Sequence, residues 1–161
     1  MHEKVLFRLN EYCVKNKIEY AVTGTCALDL LGVPSSFCPK DVDIVIYHPN
    51  DNVISKLKEL EDFSGLEKAE YPDVVCYSFL VKGVKVNAMI DNASSYDDIA
   101  RDTVTLRVTD EKRSKHHLLS VHNVWKAWAL KMKLGRPKDI SYALNIIHTL
   151  STITGIKTHN V

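Results

Sequence analysis

The segment Asp41-Val-Asp-Ile-Val-Ile46 constrains the fold of this chain more than any other. Residues 42–47 form a near-continuous β-branched run interrupted only by Asp43, with Pro39 upstream and His48-Pro-Asn50 downstream, so the run reads as a buried strand. Side chains alternate along a strand, which puts residues 41 and 43 on one side while Val42, Ile44 and Ile46 enter a core on the other. Two carboxylates packed side by side there repel each other unless a cation lies between them. Mg²⁺ meets that demand, because it takes one or two carboxylates together with substrate phosphates. The competing reading of an isolated Asp-x-Asp is that one Asp only caps a loop.

The rest of the chain supplies elements around that strand. Val5, Leu6, Leu9 and Cys13 recur at helical spacing, which predicts an amphipathic helix over residues 3–17, ending near Asn16. Residues 20–23 read as a short strand that runs into Gly24-Thr25, followed by a compact helix over 26–31 and a loop over 33–40. Asp51 or Asn52 can cap a helix that continues to about Leu60. Lys82-Gly83 separates two strand-like runs, 74–81 and 84–90, as a two-residue hairpin turn does, and that turn pairs Val81 with Val84 and Ser78 with Asn87. A helical turn over 97–101 and a strand over 104–108 follow. Two helices, 121–134 stopped by Gly135 and 137–150 opened by Pro137, close the chain. The expected fold is therefore α/β (α+β), a mixed sheet flanked by helices with a C-terminal helical pair. Residues 1–110 form the sheet part and 111–161 the helical part of one compact unit.

Composition narrows the function classes. The 161 residues are 45% hydrophobic and 25% charged with a net charge of +1, which leaves no electrostatic case for a nucleic-acid coat protein or a disordered tail. The charge is unevenly spread: residues 112–138 hold eight Lys and Arg and no acid, so this part can face an anion or present a solvated helix face. Cys13, Cys26, Cys38 and Cys76 form no Cys-x-x-Cys pair, and reduced thiols are expected. Glu3, Lys4 and Arg8 stand where a signal peptide needs apolar residues, and no apolar run has the length of a membrane span. A cytoplasmic protein that does not enter the membrane is expected.

A strand ending in Gly24-Thr25 and opening into a helix can offer backbone N–H groups and a hydroxyl to a phosphate. Followed by a strand carrying Asp-x-Asp, it resembles the nucleotidyltransferase superfamily to which DNA polymerase β belongs, in its compact bacterial form. The matching residues are Val22-Thr-Gly-Thr25, Ala27-Leu28, Leu30-Leu-Gly32 and Asp41-Val-Asp-Ile-Val-Ile46. Phe79-Leu-Val-Lys-Gly-Val-Lys-Val-Asn-Ala-Met89 looks like the family's hairpin whose second strand carries a third carboxylate. Leu130-Lys-Met-Lys-Leu-Gly-Arg-Pro-Lys-Asp-Ile140 is similar to the helix junction of the abortive-infection toxin type of nucleotidyltransferase.

That resemblance implies transfer of a nucleoside monophosphate from a nucleoside triphosphate to an acceptor hydroxyl, on a small molecule, RNA or a protein, with Mg²⁺ or Mn²⁺ as cofactor. It implies metal ligation by Asp41 and Asp43 and nucleotide contacts from Gly24, Thr25, Lys131, Arg136 and Lys138. The toxin-type likeness also leaves room for a protein partner, as in toxin–antitoxin pairs. Three departures stand against full activity. Asn87 occupies the third carboxylate's place, no basic residue precedes Asp41 in 36–39, and Tyr142 stands where an acid commonly follows the junction Asp139. A carboxamide carries no negative charge, so a metal on the nucleophile side and a general base are both impaired. The alternative is thus a catalytically degenerate module of the same fold that binds a nucleotide or a partner.

Other residues weigh less. His116, His117 and His122 lack accompanying Cys or a zinc-type spacing. Trp125 and Trp128, three apart on a helix, read as core packing. Ser35 and Ser36 have no visible base. Asp139 at a helix start suits the helix dipole whether or not it has a further role.

Overall fold

The computed structural model of the chain describes residues 2–33 and 38–154. Ser35 and Ser36, with Pro34 and Phe37 of the predicted loop, lie outside the described residues. The sheet grows outward from the Asp-x-Asp strand. That strand, β2 (Val42–Tyr47), pairs antiparallel with β1 (Tyr20–Thr23) and parallel with β5 (Val84–Asp91). Beyond β5 lie β4 (Val74–Val81) and the edge strand β3 (Phe63–Tyr71); beyond β1 lie β7 (Lys115–His122), parallel to it, and the edge strand β6 (Thr103–Asp110). The result is a mixed seven-stranded sheet in the order β3-β4-β5-β2-β1-β7-β6.

Alternation sorts the strands into two faces. Val22, Val42, Ile44, Ile46, Phe79, Val81, Val86, Ala88, Leu119 and Val121 are buried in one cluster. Over it pack Val5, Leu6, Leu9 and Cys13 of α1 (Glu3–Lys15) and Val53 and Leu57 of α3 (Val53–Leu57). The opposite face carries Thr23, Asp43, Asn87 and His122. It is covered in part by α4 (Tyr96–Asp102), whose Ile99 packs on Ala21, Val45 and Tyr47. A third cluster joins Leu28 of α2 (Gly24–Leu30) to Ala127 of α5 (Val124–Leu134) and to Tyr142 and Ile146 of α6 (Pro137–Thr154). The helical pair is thereby docked beside the turn that opens α2.

Local chemistry explains the boundaries. Ser95 accepts a hydrogen bond from Asp98 N and the Asp98 carboxylate accepts from Ser95 N, a reciprocal cap that starts α4. Asn123 accepts from Lys126 N at the start of α5, and Gly135, at φ 63°, ends it. Lys82 and Gly83 both have positive φ, 51° and 76°, the backbone that a two-residue hairpin turn requires.

The structure departs from the sequence expectations in several places. Residues 121 and 122 do not begin a helix: they end β7, a strand within the sheet, so the helical pair begins at Val124. β3 is a second unexpected strand. The helix capped near Asn52 is only Val53–Leu57, and α6 runs on to Thr154. Trp128 packs into the third cluster as expected, whereas Trp125 is 64% exposed. No helix among the described residues is long and apolar enough to cross a membrane.

Candidate active site

Three neighbouring strands bring the site together. The parallel pairing of β2 with β5 sets Asp43 beside Asn87, and the β4–β5 hairpin sets Ser78 beside Asn87 on its other flank, the register predicted from Lys82-Gly83. Asn87 Nδ2 donates to Asp41 Oδ2 at 3.0 Å and to Asp43 Oδ1 at 2.9 Å. Asn87 Oδ1 accepts from the Ser78 hydroxyl at 2.7 Å. The orientation follows from chemistry: an ionised carboxylate only accepts, so the NH₂ end must face the two acids and the carbonyl end the hydroxyl.

β1 closes the site from the other side. Thr23 pairs with Asp43, and the next residue, Gly24, turns to φ 65°. A Cβ on Gly24 would stand 2.6 Å from Asp43 Oδ2, closer than any side chain tolerates. Gly24 thus combines a left-handed backbone with a close approach to the Asp43 carboxylate.

Burial pushes the Asp43 carboxyl above its ordinary value, and the charge of Asp41 adds to that. The hydrogen bond from Asn87 and the charges of Lys131 and Arg136 oppose it without cancelling it. Among the described residues no group of three or more His, Cys, Asp or Glu converges on a metal position. The metal-ligand set at this site is therefore the two carboxylates of Asp41 and Asp43, because Asn87 turns its non-ligating NH₂ toward them. It fits one divalent cation that takes its remaining ligands from phosphate oxygens and water.

The basic residues fall into two sets. Lys131, on α5, donates to Thr25 Oγ1 at 3.4 Å, lies 3.5 Å from Asp139 Oδ1 and stacks 5.3 Å over the Tyr142 ring. Arg136 is paired with Asp139 through Nε and, at 3.3 Å, through Nη2. Asp139 is only 2% exposed. Burial alone raises its carboxyl, but the Arg136 hydrogen bond and the charges of Lys131 and Arg136 outweigh burial and hold it below the ordinary range. Gly24, Thr25 and Lys131 thus lie together beside Asp43, and the charge of Arg136 also reaches that carboxylate. Lys138 stands exposed in the first turn of α6.

One group that sequence reasoning set aside belongs to the surroundings of the site. His122 bridges Tyr47 Oη, 2.5 Å from Nε2, and Thr23 Oγ1, 2.8 Å from Nδ1. Burial and the charge of Lys126 lower the His122 pKa to about 4 against the opposing pull of Asp102 and Asp91, so the ring is neutral near pH 7. The signal in the sequence was the alternation of residues 117, 119 and 121, which is that of a strand and turns His122 to the face opposite Val121.

Solved structures share this architecture. A protein assigned as a nucleotidyltransferase from Thermotoga maritima superposes with a TM-score of 0.60 at 17% identity, over 97% of this chain and 94% of that one. ANT(2″)-Ia in complex with adenylyl-2″-tobramycin superposes with a TM-score of 0.58 at 11% identity, over 94% and 90%. An antigenic nucleotidyltransferase-like protein from Paracoccidioides brasiliensis gives 0.54 at 15% identity, over 92% and 75%. The sequence matches no protein-family model and no curated protein. The chain shares the fold of these solved structures.

Proposed function

We propose that the chain binds a nucleoside triphosphate with one Mg²⁺ or Mn²⁺ at Asp41 and Asp43, and transfers its nucleoside monophosphate to an acceptor hydroxyl with release of pyrophosphate. The observation that carries this reading is the convergence of two carboxylates, the Asn87 carboxamide and the Gly24 turn on one face of the sheet. The fold is shared with a protein whose structure holds an adenylylated aminoglycoside, which supports nucleotidyl transfer as the chemistry. A bound divalent cation would neutralise the acids and polarise the triphosphate.

The chain's own residues then divide the remaining work. Asp41 and Asp43 hold the cation, and Gly24 leaves room for the Asp43 carboxylate. Lys131 and Thr25 face the phosphates, with Arg136 adding positive charge and Lys138 at most a peripheral contact. Asn87 orients the acids without ligating strongly and cannot take the acceptor's proton. The acceptor class is a small molecule, RNA or a protein.

Asn87 also favours a second reading, a module that binds the nucleotide or a protein partner without turnover. Incubating the protein with each of the four nucleoside triphosphates and Mg²⁺ or Mn²⁺ separates them. Pyrophosphate release that disappears in Asp41→Ala/Asp43→Ala supports transfer. Metal-dependent binding by calorimetry without pyrophosphate supports the binding module. Equal binding by wild type and the double variant sinks both.

A further inference from the structure

Behind the acid pair lies a buried polar chain that no step of nucleotidyl transfer uses. Tyr47 on β2, Thr23 on β1 and His122 on β7 come from three adjacent strands, and they are 3%, 1% and 1% exposed. The imidazole touches one hydroxyl with each nitrogen. A neutral imidazole has one N–H and one lone pair, so in either tautomer it donates to one hydroxyl and accepts from the other. The charged groups around it are Asp91 of β5, Asp102 of α4 and Lys126 of α5, the last two joined at 3.0 Å.

Thr23 is where this chain meets the site. It is the residue before α2, a place where a Thr hydroxyl commonly caps the helix, yet its side chain makes no such bond and is committed to His122. Its backbone is extended, at φ −134° and ψ −173°, and pairs with Asp43. Gly24 then reverses to φ 65° and packs its Cα against the Asp43 carboxylate, with no space for even a methyl group. A rotation of Thr23 into the capping arrangement would move that turn, and the tight contact would pass the movement to Asp43.

We propose that His122 is a positioning residue of the acid site: it fixes the Thr23 side chain and, through the Thr23–Gly24 turn, the place of the Asp43 carboxylate relative to Asp41 and Asn87. The inference rests on the reading of Asp41 and Asp43 as the nucleotide-side acids. The Tyr47 contact anchors the far side of the ring and contributes to stability, while the Thr23 contact carries the positioning. The two hydrogen bonds of one ring thus have separable consequences.

Variants that cut each bond alone test this. Tyr47→Phe removes only the bond to Nε2. Thr23→Val removes only the bond to Nδ1 at nearly constant volume, and Thr23→Ser keeps it. His122→Leu removes both bonds. Two quantities are read beside the melting temperature: affinity for the four nucleoside triphosphates with Mg²⁺, and the NMR signals of the Asn87 side-chain amide, which report the acid pair without ligand. Tyr47→Phe is expected to melt lower with Asn87 signals unchanged and affinity within about twofold of wild type, whereas His122→Leu is expected to melt lower and to move the Asn87 signals as Thr23→Val does. Thr23→Val is expected to move the Asn87 signals and weaken affinity roughly tenfold or more, as misplaced binding groups do, while Thr23→Ser behaves as wild type. Unmoved Asn87 signals in Thr23→Val overturn the proposal, and so does affinity that merely tracks melting temperature across the set. If wild type binds none of the four nucleotides, the nucleotide-side reading falls; the Asn87 signals in Thr23→Val still decide the positioning.

Discussion

Asn87 reaches across from β5 to donate to Asp43 on β2 at 2.9 Å. The same NH₂ group also holds Asp41, and Ser78 fixes its orientation from behind. The carboxamide so placed relieves the repulsion between the two acids without adding charge. Under the proposed function, it would leave the nucleotide side of the site intact and deprive the acceptor side of a ligand and a base. Asn87→Asp is therefore expected to raise nucleotidyl transfer by orders of magnitude, or to create it where wild type shows none, because an activated nucleophile is worth that much. Triphosphate affinity should change only modestly. Pyrophosphate release by the two proteins across Mg²⁺ and Mn²⁺ concentrations is the measurement; fast transfer by wild type that slows in Asn87→Asp assigns the base to another residue.

The buried Asp43 carboxyl has a pH signature. Its folded-state pKa lies above the ordinary value near 4. Its contribution to stability is full below that ordinary value and is lost as pH rises through the folded-state value. In metal-free wild type this contribution should be lost as pH rises over this acidic window, read as the difference from Asp43→Asn so that Asp139 and His122, which act in the opposite sense, cancel. Asp43→Asn should flatten the loss and melt a few degrees higher at neutral pH. Added Mg²⁺ with nucleotide should stabilise wild type and not the variant, since only the former has the charge to bind it. Melting curves of both proteins against pH, with and without Mg²⁺, check all three; a difference between wild type and Asp43→Asn that does not change with pH contradicts the assignment.

At Gly24 two independent constraints coincide. Positive φ strains any other residue by about 1–3 kcal/mol, and a Cβ would meet Asp43 Oδ2 at 2.6 Å. Gly24→Ala should cost stability of that order and also displace Asp43, so that metal-dependent nucleotide binding falls further than the melting temperature alone explains. Gly32, also at positive φ but with open space around it, supplies the control. Gly32→Ala should cost comparable strain with nucleotide affinity unchanged. Equal losses of affinity in the two variants would reduce Gly24 to a fold residue.

Much of this site is legible in the sequence because it depends on parity and turn chemistry, which are local. Two acids at i and i+2 on a β-branched strand must share a face, and a Lys-Gly hairpin turn sets Ser78 opposite Asn87. The strands that sequence reading misses owe their existence to partners. β3 is a mostly exposed run with Gly65 and the charges of Glu67, Lys68 and Glu70, and it extends only because β4 offers an edge to pair with. β7 begins Lys115-His-His, which hides the alternation of its buried residues, and Asn123 rather than the strand's end carries the helix cap. His122 meets Thr23 and Tyr47 across separations of 99 and 75 residues, and no local pattern encodes such contacts.

The basic residues at the helix junction separate in the same way, by what surrounds each charge. Lys131 has a side chain 13% exposed, between Thr25 and the buried Asp139, and its ammonium is held by both and by the Tyr142 ring. A charge restrained there needs little further ordering to meet a triphosphate beside Asp43. Lys138 is exposed on the first turn of α6 and would have to give up solvent and rotamer freedom for any such contact. Lys131→Gln should thus weaken metal-dependent triphosphate binding by roughly tenfold, the order that loss of one partly buried charge-assisted contact produces. Lys138→Gln should change it less than about twofold, as an exposed charge does in physiological salt. Lys131→Gln also leaves Asp139 with Arg136 as its remaining cation, so the melting temperature must be followed alongside. Arg136→Gln, which removes the other partner of Asp139, separates the two effects. If Arg136→Gln lowers the melting temperature as much as Lys131→Gln while keeping nucleotide affinity closer to wild type, Lys131 acts on the phosphate and not only through Asp139. If affinity falls equally in both, the Lys131–Asp139–Arg136 cluster is a structural clasp between α5 and α6, and the phosphate contact must be sought at Thr25 and the Gly24 turn.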